Sequence, residues 1–265
     1  MAKVLTREVN RRIGRAMHDY AMLDDGDRVL VAVSGGVDSL VLAWLLDCWQ
    51  CKAPIRYEVC AVHIDMEPAA DQPGKSALAV RRQLDRLHIR SELLPAVRQP
   101  PLASGNSEES RQGVCYNCAR TRRRQLFDFA RQRGFTKLAL GHHRDDIVET
   151  FFLNLCFAGN ISTMVPRQDL FAGRLALIRP LAYLGKEEIC AVAEKLGLEP
   201  VRSSCPLAEK TRRRDVRRIL AGLYREAPAA RSHIFAALAN VRHDYLLRPS
   251  RSGRAATGGP HADKS

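Results

Sequence analysis

The sequence predicts an α/β fold, a parallel five-stranded sheet flanked by helices, with a small helical region at its carboxyl end. Two observations carry this expectation. Five short apolar runs alternate with segments of helical period, and the composition shifts after residue 200, where 14 Lys and Arg stand against 5 Asp and Glu. An amphipathic helix over Arg7 to Ala21 comes first, closed by the turn Asp24-Asp25-Gly26-Asp27. Val29 to Val33 reads as a buried strand, Leu40 to Cys48 as a helix, Tyr57 to Ile64 as a strand, Lys75 to Leu87 as a helix and Ser91 to Leu94 as a short strand. Arg98 to Gly113 is rich in Pro, Ser, Gln and Gly and reads as a long loop with the makings of a lid. A helix from Tyr116 to Gln132, a strand over Lys137 to Leu140, a helix over Asp145 to Phe157 and a fifth strand over Leu175 to Ile178 follow. Helices over Lys186 to Leu196, Arg212 to Tyr224 and His233 to Leu246 complete the series. The expected regions are an N-terminal helix (1–26), an α/β domain (27–200), a basic helical region (201–248) and a disordered tail (249–265).

Composition narrows the partners. The formal net charge is +13 over 265 residues, and the segment from Val201 onward holds +9 of it, which points to a polyanion. A solvated helical face is the alternative for any one basic run. The amino terminus is charged from its third residue, and the longest strongly apolar stretch, Leu40 to Leu46, is far short of the roughly 20 residues that span a bilayer. A cytoplasmic chain with no membrane partner is expected, and its eight cysteines then read as reduced thiols.

Ser34-Gly35-Gly36-Val37-Asp38-Ser39 lies between a strand and a helix. There the two glycines let backbone amides approach an anion, the helix start adds its positive dipole end, Ser34 and Ser39 offer hydroxyls, and Asp38 offers a carboxylate to a metal ion. A tight strand-to-helix connection is the plainer reading of a Gly-Gly pair alone. The Gly-Lys-Ser/Thr ending of a Walker loop is absent. A second element, Gly141-His142-His143-Arg144-Asp145-Asp146, also follows a strand and opens a helix, so its polar groups face the carboxyl end of the sheet. Its carboxylates would alternatively serve as helix caps.

Cys115-Tyr116-Asn117-Cys118 stands where the long loop enters a helix, a place suited to ion binding by two thiolates, and Cys205 lies in a loop before a basic helix. A zinc site completed by a histidine is one reading of these thiols. Cys48 and Cys51 share the spacing but read as core or surface thiols, and Cys60, Cys156 and Cys190 as packing residues. Arg120, Arg124 and Arg131 recur at helical spacing, as do Arg213 with Arg217 and Arg214 with Arg218, and both sets suit phosphate contacts.

The hexapeptide resembles the PP-loop of ATP pyrophosphatases, and the Gly141 to Asn154 segment, Ile178-Arg179-Pro180-Leu181 and the cysteine trio resemble the tRNA 2-thiocytidine synthetase group. The resemblance implies a Rossmann-like sheet of the adenine nucleotide alpha hydrolase kind. It implies ATP held by Ser34, Gly35, Gly36, Val37, Asp38, Ser39, Gly141 and His142, with magnesium on Asp38 assisted by Asp145 or Asp146. It further implies a 4Fe-4S cluster on Cys115, Cys118 and Cys205, whose open iron carries sulfur. Val37 stands where thiolating members usually carry Lys, and Arg202 where many carry a further Cys. The implied activity adenylates the C2 oxygen of cytidine 32 in tRNA and replaces it with sulfur. The implied partners are tRNA and a sulfur donor, a cysteine desulfurase or sulfide, with a homodimer as one candidate assembly. Thiolation of uridine, or a zinc-containing binding module without catalysis, are the competing readings.

Overall fold

The computed structural model describes residues 4–67, 72–97, 108–201 and 212–247, and the side chains of 108–116 are outside that description. The chain runs α1 (Arg7–Asp19), β1 (Asp27–Ala32), α2 (Val37–Gln50), β2 (Tyr57–Asp65), α3 (Lys75–Arg86), β3 (Ser91–Pro95), α4 (Glu108–Gln132) and β4 (Lys137–Leu140). It continues with α5 (Arg144–Phe157), β5 (Arg167–Leu170), β6 (Leu175–Ile178), α6 (Lys186–Lys195), α7 (Arg212–Glu226) and α8 (Ala230–Ala237). The strands lie in the order β3-β2-β1-β4-β6-β5. The first five of these positions pair in parallel, as expected, and β5 adds an antiparallel edge.

Burial explains the sheet. β2 is buried at every position but Glu58, and β6 at all four, the pattern of strands covered on both faces. On one face Val29, Val31, Leu40, Leu42, Leu45, Val80, Leu84 and Ile189 form the main cluster, which also takes in Val9, Ile13 and Ala16 of α1. On the other, Leu30, Cys60, Val62, Leu138 and Leu177 pack under Phe129 and Ala130 of α4. Fully burying an aliphatic side chain of this size contributes about 1.5–3 kcal/mol, so these two layers hold the sheet flat against its helices. A third, small cluster joins Val148 of α5 to Val216 and Leu220 of α7.

The chain steps outward from β1 to β2 to β3 and then returns to the other side of β1 with β4. That reversal creates a crevice at the carboxyl ends of β1 and β4, the place where open α/β sheets receive ligands.

Three expectations need correction. β5 is an additional strand that the sequence does not announce, because Arg-Gln-Asp-Leu is a partly exposed edge without an apolar run; it turns into β6 through left-handed Phe171, Ala172 and Gly173. The expected loop from Arg98 to Gly113 gives way to helix at Glu108, where two consecutive glutamates favour a helix start. The Cys115–Cys118 pair therefore lies within α4 and not at its entry. The last expected helix breaks into α8 and a 3-10 turn at His243–Tyr245, since α8 buries no side chain that would hold a longer helix in place. The expected tail lies outside the described residues. Among the described residues, no helix is long and apolar enough to cross a membrane.

Candidate active site

The turn after β1 is assembled by its own short side chains. Ser39 Oγ donates to the Gly36 carbonyl (2.8 Å) and accepts from the Ser34 amide (3.1 Å), which closes the loop over the first turn of α2. Gly35 has φ +92°, and a Cβ there would press on Val80 and Val201 at 3.1–3.2 Å, so the position requires glycine. Gly36 caps α2 with no side-chain acceptor, leaving the helix-start amides to an external anion. Gly141, at the end of β4, brings the second motif against this loop: a Cβ would stand 2.9 Å from the Ser39 nitrogen.

Charged groups from distant elements surround the loop. Asp38 receives both oxygens' hydrogen bonds from the Lys186 ammonium at 2.6 and 2.7 Å, and His143 Nε2 lies 4.0 Å from its Oδ1. Asp145 and Asp146 are both engaged at helix ends. Asp145 accepts from the Lys186 amide (2.8 Å), which begins α6, and Asp146 accepts from the His143 amide (3.1 Å), which begins α5. Arg213 approaches Asp146 and Glu149 at 3.7 and 3.6 Å and donates to Thr150 Oγ1, while Arg217 donates to Glu149 at 2.6 Å. Asp145 Oδ1 and His143 Nδ1 are buried without a hydrogen-bond partner, so this cluster retains unused polar capacity beside the loop.

His142 accepts from Arg179 Nε at Nδ1 (3.3 Å), which leaves Nε2 as the protonated nitrogen. Burial, reinforced by the Arg179 charge, pushes its pKa down to about 4, so the ring is neutral at physiological pH. Arg179 also donates to the Val165 carbonyl. Burial lowers it to about 10, with help from Arg123 of α4, which places that helix beside the same crevice. Burial likewise lowers His63, whose Nδ1 faces the Val33 carbonyl at 2.8 Å.

The phosphate loop, Gly141, His142, Asp145 and Asp146 are thus brought together as the sequence indicated. Of the cysteines, Cys118 is a half-exposed free thiol on α4, one helical turn from position 115. The side chain of Cys115 and all of Cys205 lie outside the described residues. Both flanks of the Cys205 segment are nonetheless fixed at this site: the Val201 amide donates to the Gly35 carbonyl (3.0 Å), and Arg213 begins the pairing with α5. Among the described residues no three His, Cys, Asp or Glu side chains converge as a metal site.

Several sequence readings change here. Arg213 and Arg217 do not form an outward phosphate face; they turn onto Glu149, a carboxylate only 6% exposed. Arg218 and Arg124 do remain outside, at 81% and 86% exposure. Cys60 is buried as expected, but Cys156 and Cys190 are exposed, because their helices turn those positions away from the sheet. Lys186, Arg179 and Glu149 were missed as site residues. Arg179 and Glu149 lie inside the two motifs that carry the family resemblance, and Lys186 is a cation at a helix start, where a positive charge opposes the dipole.

A glycine-built anion cradle at the switch point of a parallel sheet, ringed by carboxylates and cations, defines a nucleotide-binding domain of the phosphate-loop α/β class. The chain belongs to the PP-loop domain family, whose model matches residues 5–223. It is 36% identical over 253 residues to the tRNA-cytidine(32) 2-sulfurtransferase of Syntrophotalea carbinolica, covering 93% of each chain. It is 37% identical over 243 residues to the protein of that name from Teredinibacter turnerae, covering 91% of this chain and 78% of the relative. The solved structure of the U34-tRNA thiolase NcsA from Methanococcus maripaludis with its 4Fe-4S cluster shares the fold. Its TM-score is 0.68 at 19% identity, over 90% of this chain and 80% of that one.

Proposed function

We propose that this protein is an ATP-dependent tRNA-cytidine 2-sulfurtransferase that replaces the C2 oxygen of cytidine 32 with sulfur. The observation that carries the reading is the anchoring of residue 201 on the phosphate loop. Four extended residues span at most about 14 Å, so the chain length beyond Val201 allows Cys205 to reach a nucleotide held by the loop.

The chemistry divides between the two motifs. The backbone amides at Gly35, Gly36 and the start of α2 take the pyrophosphate portion of ATP, and Asp38 holds magnesium; one carboxylate together with phosphate oxygens is a normal magnesium environment. The C2 oxygen of cytidine attacks the α-phosphorus, the bond to the bridging oxygen breaks, and pyrophosphate leaves. A sulfur nucleophile then adds at C2, the C–O bond breaks, and AMP departs with the former base oxygen. Oxide would be a far poorer leaving group, which is why the adenylation precedes sulfur transfer. His142, held neutral with Nδ1 accepting from Arg179, keeps Nε2–H as a hydrogen-bond donor without adding charge. Asp145 and Asp146 fix the starts of α6 and α5 around it.

Cys115, Cys118 and Cys205 would hold the 4Fe-4S cluster. The helical i, i+3 placement of 115 and 118, with Cys118 a free thiol, suits two thiolates on one ion cluster. When bound, the cluster supplies an iron with an open position for sulfur, delivered by a cysteine desulfurase or as sulfide. Arg120 and Arg124 of α4 and Arg218 of α7 are solvent-facing and form the tRNA phosphate surface. Nucleoside analysis of tRNA from a deletion strain tests the reading: 2-thiocytidine is expected to vanish and to return with the wild-type gene. Unchanged 2-thiocytidine would refute it.

A further inference from the structure

The hexapeptide Ser34 to Ser39 contains no basic side chain, yet it is expected to hold a polyanion. The cation next to it comes from 148 residues further along the chain. Lys186 is the first residue of α6, and its ammonium sits on both oxygens of Asp38 at 2.6 and 2.7 Å. Its backbone is fixed from two sides: the amide donates to Asp145 of α5, and Glu188 closes the α6 start by accepting from Gly185 at 2.8 Å. The side chain is a different matter. It is 42% exposed and reaches the loop on a four-carbon stem, so the head can move while its root stays in place. Three other cations of the charged layer have carboxylates of their own, Arg213 and Arg217 on Glu149 and Arg231 on Glu187 at 2.7 Å, while Arg179 is held by His142 and the Val165 carbonyl and does not touch Asp38.

We infer that Lys186 is the polyphosphate-sensing residue of this site: it neutralises Asp38 while the loop is empty and transfers its ammonium to the β- and γ-phosphates of ATP when a magnesium ion takes the carboxylate. The inference rests on the ATP-dependent reading above and deepens it. A divalent ion on Asp38 repels an ammonium at 2.6 Å, and the nearest compensating charge is then the polyphosphate beside the metal. Lys is well suited to this as a mobile point charge, whereas a forked guanidinium would hold the carboxylate in a fixed bidentate pair. The exchange ties three events together: metal binding, phosphate contact and release of the Asp38–Lys186 pair. It also gives the site a preference for ATP and pyrophosphate over AMP, which is what an enzyme that must shed AMP requires. A static α6-to-loop bridge would give no such preference.

The two roles separate in binding measurements on the full-length protein. In calorimetric titrations with magnesium, Lys186→Met is expected to weaken ATP and pyrophosphate about tenfold or more while AMP affinity changes less than about twofold. Its residual ATP binding should reach half-saturation at lower magnesium, because Asp38 no longer has a competing cation. Lys186→Gln, whose amide still donates to Asp38, repeats the test if the Met variant does not fold. ATP and AMP weakening in parallel, or neither weakening, would overturn the role of Lys186 while leaving the ATP reading intact. Failure of the wild-type protein to bind ATP at all would remove both.

Discussion

The phosphate loop and the charged layer around it are built in opposite ways. The loop is local: six consecutive residues, a Ser39 hydroxyl that bonds back to the loop's own backbone, and Gly35, whose missing side chain lets Val80 and Val201 come close. The charged layer is assembled from α5, α6 and α7, whose partners are separated by 41 to 148 positions in sequence. The difference teaches that geometry at this site comes from backbone next to the loop, while its charge balance comes from far away. A site of this kind keeps its shape when a distant charge is removed and loses its shape when a glycine is filled.

The largest expected effect falls on the backbone packed against the loop. Gly141→Ala places a methyl group 2.9 Å from the Ser39 nitrogen and 3.0 Å from the Asp38 carbonyl carbon, and backbone must shift to admit it. ATP-to-AMP turnover is expected to fall about 100-fold or more, the usual consequence of misplacing reacting groups by about 1 Å, with the circular-dichroism spectrum unchanged. Turnover within a few-fold of wild type would mean that β4 does not set the loop position.

A smaller effect belongs to the buried histidine. His142 has its pKa lowered from the ordinary 6.5 to about 4, so the unfolded chain binds the extra proton first as pH falls. Folding stability from this group is complete above pH 6.5 and is lost progressively down to about pH 4, on the order of 2 kcal/mol by pH 5. The difference in urea-unfolding free energy between pH 8 and pH 5 should therefore shrink by about that amount in His142→Gln. An identical pH dependence in the two proteins would show that the ring is not held neutral by Arg179 and burial.

The smallest effect tests the distant half. Glu149→Ala removes the buried partner of Arg213 and Arg217, and since Arg217 is itself 58% exposed and regains water, the cost should be about 1.5 kcal/mol. Arg218→Ala, on the outer face of the same helix, should change stability by less than about 0.5 kcal/mol but lower the salt dependence of tRNA binding by about one ion. Equal destabilisation by both would erase the distinction between inward and outward arginines.

The same contrast decides what the sequence could reveal. The parallel sheet was legible because β1, β2 and β6 are nearly continuous apolar runs, and the cradle because Ser34 to Ser39 carries its whole geometry within itself. β5 was not, being a polar edge held only by its pairing with β6. The inward turn of Arg213 and Arg217 was hidden for a related reason. Helical spacing shows which arginines share a face, but only the packing of Val216 and Leu220 on Val148 shows that the face meets α5. The partner of Lys186 was hidden too, since only the packing of α6 on α2 brings its ammonium to Asp38.

The central claim is that the sulfur-carrying centre and the activated base meet in one crevice. Iron anomalous scattering from anaerobically grown crystals of the holoprotein with ATP and magnesium measures this directly. The account predicts iron in the crevice on the side where Val201 leaves Gly35, no farther from Val201 than the about 14 Å that four extended residues span plus one cysteine side chain and its bond to iron. Iron bound elsewhere on the molecule, or beyond that reach, would contradict it.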